Sequence, residues 1–211
     1  MTKENYVSYL IGTVQGYPTK TKRYLKKMLI ERGIAAQDGQ LCISTDADIV
    51  VDVADKELTD LVTVCIQNSE VAQRMFEKWE FEKDYRYSTL FASKNFSALV
   101  EKVDLLDQYD KGTSEENRST NGFTNPPCLK EGNYIFLKFS LYYSAVEFVT
   151  GKESLVKFPI MIVLHCKEQL VEFRFDTLRR LFVPERQEQT FHSDLIDRLY
   201  GFCHDFFGEE L

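Results

Sequence analysis

Basic residues recur along residues 20–32 and form the densest set of side chains that could bind a charged ligand. At about 100° per residue, the cations of residues 22–27 fall on one side of a helix, opposite Leu25 and Leu29. Cations on a rigid helix attract phosphate groups, and a nearby aromatic ring can stack on a base. The sequence therefore predicts an anionic-ligand site, with a solvated helix face as the alternative. The predicted residues are Tyr17, Lys20, Lys22, Arg23, Lys26 and Lys27.

Acidic residues cluster between positions 46 and 55, where carboxylate oxygens could bind a hard divalent cation. They are Asp46, Asp48, Asp52 and Asp55. The segment lacks the glycine and the terminal bidentate glutamate of a calcium-binding loop. Turn and capping interactions explain such a cluster better, so the sequence predicts no metal site and no cofactor.

A thiol beside an imidazole could act as an activated nucleophile. Cys203 with His165, or Cys166 with His204, would form such a pair if the C-terminal helix packs over the right strand. No Cys-x-x-Cys or His-x-x-x-His spacing is present, and the five cysteines lie mostly within apolar runs. We therefore expect buried, reduced thiols and predict no catalytic residue.

Motifs of the common enzyme classes are missing from the sequence. It contains no Gly-x-Gly-x-x-Gly, Gly-x-Ser-x-Gly or His-Glu-x-x-His. Gly151 and Lys152 resemble the end of a phosphate-binding loop, but Glu153 stands where that loop requires Ser or Thr. An enzyme whose catalytic groups come from distant positions stays open as a hypothesis.

The elements that would position these side chains are clearest in the C-terminal half. Apolar residues occupy every second position in segments 133–143, 156–164 and 170–176, which predicts an antiparallel three-stranded meander. Pro159 cannot donate to a strand ladder, so we expect it at a strand start, a bulge or an outer edge. In the third segment, Glu172 alternates with apolar residues, so one face of this strand is predicted to be in contact with water.

The apolar spacing changes to that of a helix over residues 191–207. Leu195, Leu199 and Phe202 fall on one side of this helix, which is predicted to cover the apolar face of the meander. Each fully buried Phe or Leu contributes roughly 1.5–3 kcal/mol, so this contact should hold the C-terminal half together.

The N-terminal lobe is predicted to be mainly helical. Helices are expected over residues 19–33 and 55–67, and two more after the capping residues Ser69 and Ser93. A strand is expected over residues 85–91. A small β-hairpin is predicted to join residues 41–44 to residues 49–53 across a polar turn.

The fold class is therefore α+β, in three parts. Residues 1–109 form the helical lobe with its hairpin, and residues 129–211 form the antiparallel sheet with the terminal helix. Residues 110–128 are polar and punctuated by Gly and Pro, which predicts a linker or a mobile loop.

Composition limits the classes of function. The net charge of −7 argues against non-specific nucleic-acid binding by the whole surface, and no stretch reaches the roughly 18 apolar residues of a membrane helix. The N-terminus lacks the apolar block of a signal peptide. The sequence thus predicts a cytoplasmic protein without membrane contact.

The leading functional prediction is a noncatalytic protein-interaction or regulatory module, which could be one domain of a larger protein or complex. An aromatic content of 13% leaves rings available for a partner surface. Binding of nucleic acid or a phosphate ligand through the basic helix of residues 20–32 is the alternative, and an enzyme with a dispersed site is the third hypothesis. A protein partner is expected first and nucleic acid second, with the oligomeric state left open.

Overall fold

The chain combines helices with an antiparallel sheet, which confirms the predicted α+β class. The computed structural model describes residues 2–36, 51–52, 54–106, 109, 126–147, 149–176, 181–182 and 191–208. Its helices are α1 (Lys3–Gly16), α2 (Thr19–Glu31), α3 (Leu58–Asn68), α4 (Glu70–Glu82), α5 (Phe96–Val103) and α6 (Phe191–Phe202), which continues as a π-helix (Cys203–Phe207). Its strands are β1 (Ala35–Ala36), β2 (Val51–Asp52), β3 (Tyr87–Ala92), β4 (Cys128–Glu131), β5 (Tyr134–Glu147), β6 (Glu153–His165), β7 (Leu170–Phe175) and β8 (Leu181–Phe182). Within these ranges, no helix has both the length and the apolar character needed to cross a bilayer.

The three segments with a two-residue period form the centre of the sheet, as predicted. β5 pairs with β6 in antiparallel fashion, from Tyr134 opposite His165 to Val146 opposite Glu153. β6 then turns into β7 and pairs with it in the same way. In the described chain the strand order is β3-β7-β6-β5-β4, and β8 pairs with the far end of β5.

One face of the sheet packs against α5 and α6, so the predicted cover by the terminal helix is confirmed. Leu195 and Leu199 of α6 are fully buried in this core. The ring of Phe202 meets the ring of Phe139 at a centroid distance of 5.0 Å and an angle of 77°. Edge-to-face contacts of this kind favour a fixed arrangement of the helix on the sheet.

The opposite face of the sheet packs against α4. Phe81 of α4 contacts Met161 and Val163, which alternate along β6 with residues of the first core. Helices α1 to α4 bury a separate core among themselves. The predicted capping residue of α4 is confirmed, since Ser69 Oγ accepts the N–H of Ala72 at 3.2 Å.

Helix α1 covers an open edge of β6, beyond the point where β7 ends. The hydroxyl oxygen of Thr13 lies 2.8 Å from the carbonyl oxygen of Lys157 and accepts the N–H of Lys157 at 2.7 Å. A Cβ on Gly12 would lie 1.9 Å from the carbonyl oxygen of Leu155, so only glycine permits this approach. Pro159 lies just past the last β6–β7 pair, at a local outer edge as predicted.

The sheet extends beyond the predicted meander. β3, from the segment predicted as the helical lobe, pairs with β7 along its whole length. β7 is therefore an interior strand, and the prediction that Glu172 faces water is wrong: its side chain is 9% exposed. The division of the chain at residues 110–128 stays a prediction.

Two local predictions in the N-terminal half concern the hairpin and the start of α5. Residues 41–44 and the turn of the predicted hairpin lie outside the described residues, so the hairpin stays a prediction. The described part of its second strand, β2, pairs in parallel with β1. Helix α5 begins after Asn95 and not after Ser93, because the chain turns once more before its first helical residue, Phe96.

Candidate functional site

Tyr17 and Lys20, two of the predicted ligand-binding residues, line the same cavity. The cavity lies between the α1–α2 turn, the end of α4 and the first half of β6. Its volume is about 710 Å³, within the range of roughly 300–1,000 Å³ that small-molecule sites occupy. We call it the Tyr17 pocket and define it by the lining residues that matter most below: Tyr17, Lys20, Tyr24, Trp79, Lys83 and Tyr85.

The other predicted cations do not line this pocket. Lys22 is half-buried, and its Nζ donates to the carbonyl oxygen of Gln15 at 2.8 Å and lies 3.0 Å from Thr59 Oγ1. Partial burial lowers the pKa of Lys22. Lys27 forms an ion pair with Glu31 on the same helix at 3.5 Å.

Arg23 is exposed and Lys26 is half-buried, and neither lines the pocket. The structure thus brings Tyr17 and Lys20 together and places Lys22 elsewhere. The pocket therefore includes two of the six predicted residues, Tyr17 and Lys20.

Aromatic rings form one wall of the Tyr17 pocket. The rings of Tyr17 and Trp79 meet edge to face at a centroid distance of 5.6 Å and an angle of 80°. Tyr24 lies 6.4 Å from Trp79 with the two planes tilted by 38°. Tyr24 lies on the apolar side of α2, yet it is 50% exposed because it borders the cavity. The wall therefore offers aromatic faces to a ligand.

A buried ammonium group lies among these rings. The side chain of Lys83 is 4% exposed and forms an ion pair with Asp176, which also accepts the backbone N–H of Arg86 at 3.0 Å. The Lys83 Nζ is 4.3 Å from the ring centre of Tyr85 and 5.4 Å from that of Tyr17. Cation–π attraction and the carboxylate together hold this charge inside the protein.

Two of the three phenols that line the pocket, Tyr17 and Tyr85, remain protonated. Burial raises the pKa of Tyr17 well above its ordinary value, and the carboxylates of Glu80 and Asp176 raise it further. Burial and the same carboxylates raise the pKa of Tyr85, whose hydroxyl donates to the carbonyl oxygen of Glu80 at 2.7 Å. At neutral pH these groups are hydrogen-bond donors and not bases.

A network of buried charges lies beneath the pocket. Glu80 Oε2 is 2.6 Å from the Nζ of Lys157, a pocket-lining residue, and 2.9 Å from the Nζ of Lys138. Lys138 also donates to the carbonyl oxygen of Glu77 at 3.1 Å. None of the three charged side chains of this network is more than 3% exposed. The network joins α4 to β5 and β6, so it fixes the floor of the pocket.

A second polar cluster surrounds Glu172 on the β3, β6 and β7 strands. Its carboxylate accepts a hydrogen bond from Ser88, and its Oε2 is 2.7 Å from both Arg174 Nη2 and His165 Nε2. Burial opposes ionisation of Glu172, but the hydrogen bonds from Arg174, Ser88 and His165 lower its pKa to about 2. This cluster lies outside the Tyr17 pocket.

The thiol–imidazole pairs that the sequence analysis considered do not receive support from the described residues. Cys203 is buried in the core under α6, whereas His165 is bonded to Glu172 on the other face of the sheet. Burial raises the pKa of Cys203 to about 12 and that of Cys65 to about 11. Such thiols are protonated and therefore poor nucleophiles. Cys166, in the β6–β7 turn, is also a free thiol with a raised pKa.

The acidic cluster of residues 46–55 is only partly described. Asp46 and Asp48 lie outside the described residues, while Asp52 Oδ1 accepts the N–H of Ala54 at 3.1 Å. That bond is ordinary turn chemistry. In the part of the chain that the structure describes, no three His, Cys, Asp or Glu side chains come close enough to hold a metal ion.

Sequence reasoning missed most of the pocket. Trp79, Lys83 and Tyr85 follow one another in a stretch that alternates aromatic and charged residues near the end of α4. That alternation could have indicated a binding site. Helical spacing instead led to the prediction that Trp79 is only a core residue. Asp176 could not be found in this way, because it is 93 positions away from its partner Lys83.

Comparison with known proteins gives no further guidance to this pocket. No protein-family model, curated protein or solved structure matches the chain significantly. Its function is therefore inferred from the geometry of the Tyr17 pocket.

Proposed function

We propose that this protein is a noncatalytic recognition module that binds a small-molecule ligand in the Tyr17 pocket. One observation carries the proposal: a cavity of about 710 Å³ has aromatic walls and holds the buried ammonium of Lys83. A concave, mostly apolar surface with a few convergent polar groups is typical of ligand sites. The regulatory role predicted from the sequence would act through occupation of this pocket.

The protonation states of the pocket support recognition rather than catalysis. Burial raises the pKa of Tyr17 and Tyr85, so neither phenol is a base at neutral pH. Lys83 is held by Asp176 and Lys157 by Glu80. Tyr17 and Lys83 can donate hydrogen bonds to a ligand, and the aromatic rings of the wall can stack on it. The predicted protein partner and cytoplasmic location stay predictions.

Trp79 allows a direct test, because it is the single tryptophan of the chain and lines the pocket. The purified protein is titrated with a library of small organic acids, bases, neutral aromatic compounds and sugars. We expect at least one compound to change the Trp79 fluorescence saturably and to raise the melting temperature. A ligand at about 100 times its Kd stabilises the folded state by about 2.7 kcal/mol, which is easily measured.

Two exposed tyrosines provide a matched pair of variants. Tyr24→Ala removes a wall of the pocket, while Tyr134→Ala removes a comparably exposed ring from β5, outside the pocket. We expect the Tyr24 variant to bind the compound about tenfold more weakly and the Tyr134 variant to bind it normally. A library without any binder, or a binder that both variants retain equally, contradicts the proposed function.

A further inference from the structure

We infer that the ligand of the Tyr17 pocket is an aromatic ring carrying an anionic group, either a carboxylate or a phosphate. This inference rests on the proposed function and adds the chemical class of the ligand. It follows from the combination of an interior ammonium, cations at the mouth and an aromatic wall between them.

The interior ammonium can accept an anionic oxygen from a ligand. An ammonium group has three N–H donors. Asp176 accepts from Lys83, whose Nζ also lies near the faces of Tyr17, Trp79 and Tyr85. Charge-assisted hydrogen bonds to an anionic oxygen are stronger than contacts with neutral rings. A ligand carboxylate or phosphate could therefore accept a further hydrogen bond from Lys83.

The mouth of the pocket carries exposed charges of both signs. Lys20 and Arg86 are exposed cations in the lining, and Glu82 and Asp84 are exposed carboxylates there. Glu82 forms an ion pair with Lys78 at 3.4 Å. Lys20 and Arg86 are the groups at this entrance that would attract an anion.

The aromatic wall provides the place for a ring. Tyr24 is half exposed, and its plane is tilted by only 38° from that of Trp79, so both rings face a similar direction. A planar ligand can stack on such a surface with its ring centre offset from that of the tyrosine. Lys83 lines the same pocket, so one molecule could contact both features.

A cationic ligand fits this pocket less well. Aromatic cages of this type can bind ammonium compounds. Here the Nζ of Lys83 already lies 4.3 Å from the ring centre of Tyr85 and 5.7 Å from that of Trp79. A second cation would meet a like charge at the same rings, which is unfavourable.

Matched pairs of probes separate the ring from the charge and the carboxylate from the phosphate. Calorimetry and Trp79 fluorescence are used to compare adenosine monophosphate with adenosine, and benzoate with benzyl alcohol. We expect the anionic member of at least one pair to bind about tenfold or more tightly than its neutral partner. Preference within the first pair indicates a phosphate ligand, and preference within the second indicates a carboxylate ligand.

Variants then locate the charge recognition. Lys20→Ala and Arg86→Ala should each weaken binding of the preferred anion several-fold without lowering the melting temperature, because both side chains are exposed. Lys56→Ala removes an exposed cation outside the pocket and is the control. The double variant Lys83→Met with Asp176→Asn removes the interior pair together, and it should abolish the preference for the anion.

The outcomes separate this inference from the proposed function. If neutral partners bind as tightly as the anions, the anionic class is wrong while the pocket remains a ligand site. If none of the four probes binds at millimolar concentration, the inference is overturned, and the wider library still decides the proposed function. If Lys27→Ala weakens binding as much as Lys20→Ala, recognition depends on the helix surface and not on the pocket, which also overturns the inference.

Discussion

The side-chain oxygen of Thr13 on α1 bonds both backbone groups of Lys157 on β6. It lies 2.8 Å from the carbonyl oxygen and 2.7 Å from the nitrogen of that residue, and both residues are buried. The hydroxyl therefore takes the position of a missing neighbouring strand, since β7 ends before it reaches Lys157. The Thr13 side chain thus forms hydrogen bonds at the open edge of the sheet. Thr13 and Lys157 both line the Tyr17 pocket.

Thr13→Val should destabilise the protein by about 1–3 kcal/mol, because it removes the oxygen that accepts the buried backbone N–H of Lys157. The free energy of unfolding is measured in urea. Thr13→Ser keeps the hydroxyl and is the matched control. A valine variant as stable as the wild type, or a serine variant that loses as much as the valine variant, contradicts this role.

Glu80→Gln should destabilise the protein by about 3–5 kcal/mol, because it removes the carboxylate that contacts the buried ammonium groups of both Lys138 and Lys157. Denaturant unfolding followed by circular dichroism measures this loss. Glu82→Gln is the control on the same helix. It changes a surface pair with Lys78, which is worth at most about 0.5 kcal/mol.

A triple variant separates charge burial from packing in the same network. Replacing Glu80, Lys138 and Lys157 together by Met removes the three charges that contact one another, so it should be less destabilised than Glu80→Gln alone. A triple variant that is more unstable than the single variant would show that the network is net stabilising.

Glu172 should make stability depend on pH in the acid range. Hydrogen bonds from Arg174, Ser88 and His165 hold its folded pKa at about 2, below its ordinary value of 4.5. A lowered folded pKa stabilises the protein above the unfolded pKa, and the contribution is lost as the pH falls from about 4.5 to about 2. Glu172→Gln should therefore cost about 1–2 kcal/mol at neutral pH, allowing for solvent screening, and progressively less toward pH 2.

The measurement compares urea unfolding of the wild type and Glu172→Gln between neutral pH and pH 2. Glu168→Gln, an exposed residue in the turn before β7, is the control and should follow the wild type throughout. A difference between wild type and Glu172→Gln that is the same at every pH rules out this linkage.

Phe202→Asp should prevent cooperative folding. Truncating a buried Phe already costs about 3–5 kcal/mol, and the aspartate adds a buried charge next to Phe139. Near-ultraviolet circular dichroism and urea unfolding report the loss of fixed packing. His204→Ala, at an exposed position two residues further on, should keep the wild-type transition. A sharp, wild-type-like transition for Phe202→Asp would contradict the role assigned to this core.

The C-terminal half was predictable because its patterns are local. Alternation along β5, β6 and β7 and the 3.6-residue spacing of α6 each follow from burial of one face. The pairing of β3 with β7 was not predictable, because it joins segments about 80 residues apart. The burial of Glu172 could not be predicted for the same reason. The sequence pattern identified its strand, β7, but not the second neighbouring strand, β3.

Only the part of the candidate site on helix α2 could be predicted, because its cations are close together in the sequence. Residues 20–32 contain many cations, but rotation about the helix axis and packing against α1 and α3 decide which of them reach a cavity. Lys20 does, whereas Lys22 is bonded between Gln15 and Thr59. Lys83 and Asp176 become neighbours only through the tertiary fold.

The contact between Thr13 and Lys157 also affects the order in which the chain folds during synthesis. The two residues are 144 positions apart. At a translation rate of about 5–20 residues per second, the first helix waits roughly 7–30 seconds on the ribosome before its partner strand is even synthesised. Until then its small-residue surface at Gly12 has nothing to fit against, so the Tyr17 pocket is among the last features of the molecule to assemble during translation.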